Sequence, residues 1–310
     1  NTARRDCGST GDATAALAIG GQSSDTNATE SWNGSSWTTI PATLNQARGA
    51  AASSKISTTS ALFFGGDIEP GRIGLTELYN GTSWAEQADL SQVRRNLGGA
   101  GSSTSALAFG GEITPITAVT EEWTGAGATV FAWSTGGSLN TARNNLAGAG
   151  TQTAAIAMGG EPLTAKTELY DGTSWTETSD LNTDRFGLGG AGIQTSAIVA
   201  GGESPAGGGA FVDIAESWNG SSWTEVGDLN QGKRFVGMSG VSNTSALAFG
   251  GQLSPGLTAN TESWDGSSWT EVANLNSAKF IGGSNGTQTS ALFYGGAPGS
   301  PGVATTESWN

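Results

Sequence analysis

A Gly-Gly pair closes a short apolar run seven times in this chain, at Gly20-Gly21, Gly65-Gly66, Gly110-Gly111, Gly159-Gly160, Gly201-Gly202, Gly250-Gly251 and Gly295-Gly296. The spacings are 45, 45, 49, 42, 49 and 45 residues. Seven copies of one unit override the two-domain expectation that 310 residues would otherwise raise. A chain built this way folds as stacked copies of one small supersecondary unit, because no single copy can bury its own apolar surface.

The unit is legible at Glu216-Ser217-Trp218-Asn219-Gly220-Ser221-Ser222-Trp223. Its first arm recurs as Glu-x-Trp or Glu-x-Tyr beginning at Glu30, Glu77, Glu121, Glu168, Glu216, Glu262 and Glu307. Trp37, Trp84, Trp133, Trp175, Trp223 and Trp269 follow on the second arm. The Asn219-Gly220 pair predicts a hairpin with a two-residue type I′ turn, since Asn-Gly tolerates positive φ at both positions. Each copy reads as four strands. In the sixth these are Lys233 to Ser239, Thr244 to Gly250, Thr261 to Trp264 and Ser267 to Val272. No stretch keeps a 3.6-residue apolar period, so no helix is predicted.

Seven four-stranded sheets in sequence predict an all-β, seven-bladed β-propeller, in which neighbouring blades cover each other's faces and ring closure removes the exposed ends. The blades span approximately 1–43, 44–89, 90–138, 139–180, 181–228, 229–274 and 275–310 of one domain. The sequence begins at Asn1 without Met and stops at Asn310 inside a hairpin, which reads as a fragment or processed form whose last blade lacks its outermost strand. The copies differ most in the connections between second and third strands, at 22–29, 67–76, 112–120, 161–167, 203–215, 252–261 and 297–306. The third copy also has a longer hairpin turn, 124–132.

A Gly-Gly pair after an apolar strand, then Glu168-Leu169-Tyr170-Asp171-Gly172-Thr173-Ser174-Trp175, then a basic residue before a Gly-rich strand, resembles the kelch repeat. The resemblance covers all seven copies. WD40 repeats need a Gly-His signature, and the chain has no histidine. Ser263-Trp264-Asp265-Gly266-Ser267-Ser268-Trp269 also looks similar to the Asp-box of sialidases, but that motif has one more residue between Asp and Gly and brings no Gly-Gly pair. Kelch propellers serve enzymes, adaptors and adhesins alike, so the resemblance implies a fold rather than an activity. The Trp-Asn-Gly-Ser-Ser-Trp hairpins are similar to propeller repeats of marine bacteriophage structural and fibre proteins. That resemblance implies a receptor-binding or adhesion domain, on a virion or extracellular, contacting a cell-surface glycan or protein. A scaffold propeller holding neighbouring subunits is the alternative, and a polysaccharide-acting enzyme is a distant third.

The chemistry-bearing residues narrow these readings. Net charge is −14, which disfavours nucleic acid and anionic membrane as partners. No apolar stretch is long enough to span a membrane as a helix. Without histidine there is no Ser-His-Asp or Cys-His arrangement and no imidazole metal site, and kelch oxidases of the galactose oxidase type need copper held by histidine. No catalytic residue, metal or cofactor is therefore predicted. Cys7 is the only cysteine and reads as a small buried residue. All eleven tryptophans occupy the two hairpin positions and read as core between blades.

Seven of the thirteen basic residues share one position, at Arg4, Arg48, Arg94, Arg143, Arg185, Lys233 and Lys279. The position opens the innermost strand, which predicts a ring of seven cations at the channel mouth beneath the variable loops. Two readings stay open. The cations pair with the repeated Glu of the third strand, or some hold an anionic ligand, as arginines of adaptor kelch domains hold acidic peptides. Loop residues outside the repeat pattern are the other candidate contacts: Asp67, Glu69, Phe131, Glu203, Phe211 and Asp213.

Overall fold

Alternating short strands and Gly- or Ser-rich turns fold each unit into an antiparallel meander. A computed structural model describes residues 4–309 except 13, 23–25, 55–56, 69–70, 115, 126–131, 206–209 and 299–305. In it the sixth unit runs through Gly237–Ser242, Ser245–Phe249, Thr261–Trp264 and Trp269–Glu271, hydrogen-bonded in chain order. Units one to six form four-stranded sheets of this kind, and the seventh has three strands among the described residues. The chain is a seven-bladed β-propeller with no α-helix among the described residues.

First strands of neighbouring blades contact one another around the axis and surround a channel of about 340 Å³ lined by Gly, Ala and Ser with few larger side chains. Small residues are required there because seven strands converge. A Cβ on Gly98, for example, would lie 2.3 Å from the ring of Phe109. Second strands sit mid-blade, covered on both faces. Ala246, Leu247, Ala248 and Phe249 are all at most 3% exposed, which explains their unbroken apolar run.

The tryptophans stitch blade to blade. Trp264 and Trp269 pair across the hairpin with ring centroids 5.4 Å apart. The fourth-strand indole reaches the preceding blade, where its N–H donates to the threonine that opens the third strand. Trp84 donates to Thr29, Trp133 to Thr76, Trp175 to Thr120 and Trp223 to Thr167, at 2.8–2.9 Å. Burying each indole contributes on the order of 3 kcal/mol.

Three local expectations need correction. The hairpin turn is not a two-residue type I′ turn. Trp218 pairs with Trp223, leaving a four-residue loop in which Gly220 takes positive φ (96°). Asn219 instead uses its side chain: Oδ1 accepts the backbone N–H of Ser221 at 2.9 Å and of Ser222 at 3.0 Å. The same clasp recurs at Asn33, Asn80, Asp171 and Asp265. Second, the innermost strand of the sixth unit starts at Gly237 rather than Lys233. Arg234 bridges to Gln252, and Phe235 turns through a left-handed conformation before the strand begins. Third, two of the variable connections hold short ribbons of their own, Asp67–Ile68 with Gly71–Arg72 and Glu203–Ser204 with Ala210–Phe211.

Ring closure explains the Gly-Gly pair. The second glycine of each blade donates its N–H to the backbone carbonyl of the basic residue opening the next blade. Gly21, Gly66, Gly111, Gly160, Gly202 and Gly251 do so to Arg48, Arg94, Arg143, Arg185, Lys233 and Lys279. Gly296 closes the circle onto Arg4 at 3.0 Å. The first glycine must let that carbonyl through: at Gly201 (φ 69°) a Cβ would lie 2.4 Å from the Lys233 oxygen.

Candidate functional site

Three consecutive residues ahead of each innermost strand build the face that carries the variable connections. The first is the basic residue of the repeat. All seven are buried, Arg4 at 2% and the other six at 0% exposure. Each pairs inside its own blade with the third-strand glutamate: Arg4–Glu30 at 3.0 Å, Arg48–Glu77 at 2.5 Å, Arg94–Glu121 at 2.9 Å and Arg143–Glu168 at 2.6 Å. Arg185–Glu216 at 2.8 Å, Lys233–Glu262 at 2.9 Å and Lys279–Glu307 at 3.0 Å complete the set. Other guanidinium donors of Arg48 reach backbone carbonyls, Nε to Gly65 at 3.1 Å and Nη2 to Phe63 at 3.1 Å. The second glutamate oxygen accepts the N–H of the linker residue, for example Asn182 on Glu216 at 2.7 Å.

Desolvation lowers the pKa of Arg48, Arg143, Arg185, Lys233 and Lys279, and pushes Arg94 down to about 10, with the paired glutamates opposing the shift. The cations face their own glutamates and nearby carbonyls. The predicted ring at the channel mouth is thus a ring inside the blades. An anionic ligand would have to displace a buried glutamate to reach it.

The second residue of the triplet is what sequence reasoning missed. It bridges to the residue following the Gly-Gly pair, as Arg95 does to Glu112 and Arg234 to Gln252. Here the side chains are reachable. Arg95 is 35% exposed, held by Asp67 and by Glu112 at 3.0 Å. Arg72, from the ribbon of the second blade, also pairs with Glu112 and donates to Thr114 Oγ1 at 3.1 Å. On the far side Arg234 pairs with Glu203, donates to Gln252 Oε1 at 3.0 Å, and lies over the rings of Phe211 (4.6 Å) and Phe235 (4.8 Å). The basic doublets Arg4-Arg5, Arg94-Arg95 and Lys233-Arg234 were the available signal.

The third residue adopts a left-handed conformation in all seven blades: Asp6, Ala50, Asn96, Asn145, Gly187, Phe235 and Ile281, with φ between 48° and 63°. Backbone bonds run from blade to blade through it, Ala50 N–H to Asp6, Asn96 to Ala50, Gly187 to Asn145 and Phe235 to Gly187, at 2.6–3.1 Å. This collar rings the axis. Its side chains leave a polar arc at Asp6, Asn96 and Asn145 and an apolar arc at Phe235 and Ile281. Burial raises the Asp6 carboxyl to about 6, against the opposing pull of Arg5 and Arg95.

Outside the collar, two adjoining depressions cross the second to fourth blades. One, of about 330 Å³, is lined by Asp67, Gly71, Arg72, Val93, Arg95, Ile113 and Thr114. The other, of about 540 Å³, shares Ile113 and Thr114 with it and extends over Glu112, Ile116, Asn144, Asn145, Glu161 and Pro162. Val93 is 52% exposed here. The walls combine aliphatic side chains with carboxylates, guanidinium groups and amides whose charges offset one another. Such walls can hydrogen-bond a polar, uncharged ligand and cover its apolar faces.

The predicted loop residues separate accordingly. Asp67 enters this groove, and Glu203 and Phe211 meet at Arg234. Asp213 is half-buried and uses its backbone carbonyl to hold Leu229 N–H at 3.0 Å. Glu69 and Phe131 lie outside the described residues. No group of three or more Cys, Asp or Glu placed to hold a metal ion occurs among the described residues. Burial raises the Cys7 thiol, which disfavours a thiolate.

No protein-family model matches the chain, and no curated protein matches it. Among solved structures, that of YjhT aligns with a TM-score of 0.66 over 88% of this chain and 98% of its own, at 16% identity. At that identity the likeness is one of fold.

Proposed function

We propose that this propeller is a non-catalytic binding module whose variable face recognises a neutral cell-surface glycan, as the receptor-binding or adhesion domain of a phage fibre or other surface protein. The observation that carries the reading is the groove over the second to fourth blades, where Arg72, Arg95, Asp67 and Glu112 form a charge-balanced, part-exposed network beside Val93, Ile113 and Ile116. Fixed guanidinium and carboxylate groups suit paired sugar hydroxyls, and the aliphatic floor suits the C–H face of a pyranose. A polyanion fits less well, because the seven repeat cations are buried and the chain carries −14. The kelch-like repeat and the phage-type hairpins agree with this reading and give the proposed setting, on a virion or outside a cell.

A glycan array followed by titration calorimetry tests it. The expected result is binding of neutral oligosaccharides that is insensitive to salt and lost in Arg95→Ala or Val93→Asp. Binding only to acidic ligands, or neutral binding untouched by either change, would sink it. Exchange of the variable connections that altered assembly with other proteins, and not glycan binding, would favour the scaffold reading instead.

A further inference from the structure

The residue after each Gly-Gly pair lies across a backbone bridge from the second residue of the triplet. Where that residue is acidic, a guanidinium answers it, from its own bridge partner or from the following blade. Asp67 pairs with Arg95, Glu112 with Arg95 and Arg72, and Glu203 with Arg234. The fourth blade keeps the frame and lacks the cation. Asn144 N–H donates to the Glu161 carbonyl at 2.9 Å, and Glu161 N–H to the Asn144 carbonyl at 2.8 Å, as between Arg95 and Glu112. The side chain opposite Glu161 is here an amide, and the following blade offers Phe186.

Two acceptors are left over. Glu161 is exposed and makes no ion pair among the described residues; its carboxylate accepts only Asn145 Nδ2, at 3.1 Å. Asn144 is 7% exposed, and its Oδ1 has no hydrogen-bond partner. A buried acceptor of this kind is destabilising unless something else brings it a donor. Both residues line the depression of about 540 Å³, whose other walls include Ile113, Ile116 and Pro162. The space stands where Arg95 places its guanidinium one blade earlier.

We propose that this end of the groove holds a primary ammonium group, carried by an unacylated amino sugar of a glycan whose remaining sugars are uncharged. The inference rests on the glycan reading above and adds a charged anchor to it. The ammonium stands in for the missing guanidinium: one N–H donates to Glu161, another to Asn144 Oδ1, and the C–H face of the ring lies against Ile116 and Pro162. A divalent metal ion is the poorer occupant, because one carboxylate and two amides supply few hard ligands, and no group of three Cys, Asp or Glu placed to hold one occurs among the described residues. The net charge of −14 favours a cation on approach.

Calorimetric titration with three disaccharides of one size tests it: cellobiose, diacetylchitobiose and chitobiose, the last with free amines. At low salt chitobiose should bind about tenfold tighter than either uncharged sugar, and the gain should shrink as salt rises. Glu161→Gln, a change at an exposed side chain, should bring the ratio between chitobiose and its diacetyl form to about one. Asn144→Arg restores the pattern of the third blade, and its guanidinium should occupy Glu161 and reverse the preference. A gain that survives Glu161→Gln, or no gain of chitobiose over the uncharged pair, overturns the ammonium site while binding of all three leaves the glycan reading standing. Binding of chitobiose alone, lost in Glu161→Gln, supports the ammonium site and counts against a wholly neutral ligand. No binding of any of the three overturns the ammonium site, and the glycan array then decides the wider reading by itself.

Discussion

At the scale of single residues, the repeat cations act as interior struts. Removing one leaves its glutamate buried without its charge partner, which costs about 3–5 kcal/mol. Arg143→Ala should therefore lower the melting temperature sharply, and combining Arg143→Met with Glu168→Leu should recover part of the loss. A melting curve no different from the parent would show that Glu168 finds another partner. The sequence displayed both partners through their spacing, Arg143 and Glu168 among them. It did not display their depth, because burial is a property of the stacked ring. Asp6 gives a pH signature. Its carboxyl titrates near 6 in the fold against 3.8 ordinarily. Between those values the folded chain keeps a proton that the unfolded chain has lost, so stability falls as pH rises through that window. Asp6→Asn should flatten this fall and add on the order of 1–3 kcal/mol at pH 7. Denaturant titrations at pH 4 and pH 7 measure it, and an unchanged slope would argue that Asp6 is solvated.

At the scale of elements, one strand opening breaks the pattern and shows what the pattern does. The third strand of the fifth blade starts with Ala215 where the others carry Thr, and the indole N–H of Trp269 finds no acceptor. Ala215→Thr should supply it and stabilise the domain by about 1 kcal/mol. Gly201→Ala tests the joint between blades. The new Cβ meets the Lys233 oxygen at 2.4 Å as well as a left-handed backbone, which should cost more than about 2 kcal/mol. Gly256→Ala combines positive φ (99°) with open space, so it should cost only about 1 kcal/mol. Chemical denaturation of the two variants separates collision from backbone strain. Strand count and the aromatic hairpins were legible from the Trp and Gly-Gly spacing. The turn type was not, because Asn219-Gly220 satisfies two geometries and the serines that follow decide between them. The collar was not legible either, since Asp6, Ala50, Phe235 and Ile281 share no residue preference for left-handed backbone; backbone bonds between neighbouring blades meet at Asp6, Ala50 and Phe235.

At the scale of the whole molecule, seven equivalent joints close a ring, and the joint between Gly296 and Arg4 is of the same kind as the other six. The period alone implied that closure. What the period could not give was the groove, which draws on Asp67 and Arg72 from one blade and Val93, Arg95 and Ile113 from the next and exists only once they stack.

The left-handed collar has a consequence for how such a protein could diversify. The four bonds that link it from blade to blade involve only peptide groups, while its side chains already include a carboxylate, an amide, a methyl, a bare hydrogen, an aryl ring and a branched alkyl chain. The pore rim is thus a seven-slot panel in which each slot can be reassigned alone, and the chemistry at the entrance can drift blade by blade while the architecture beneath stays the same.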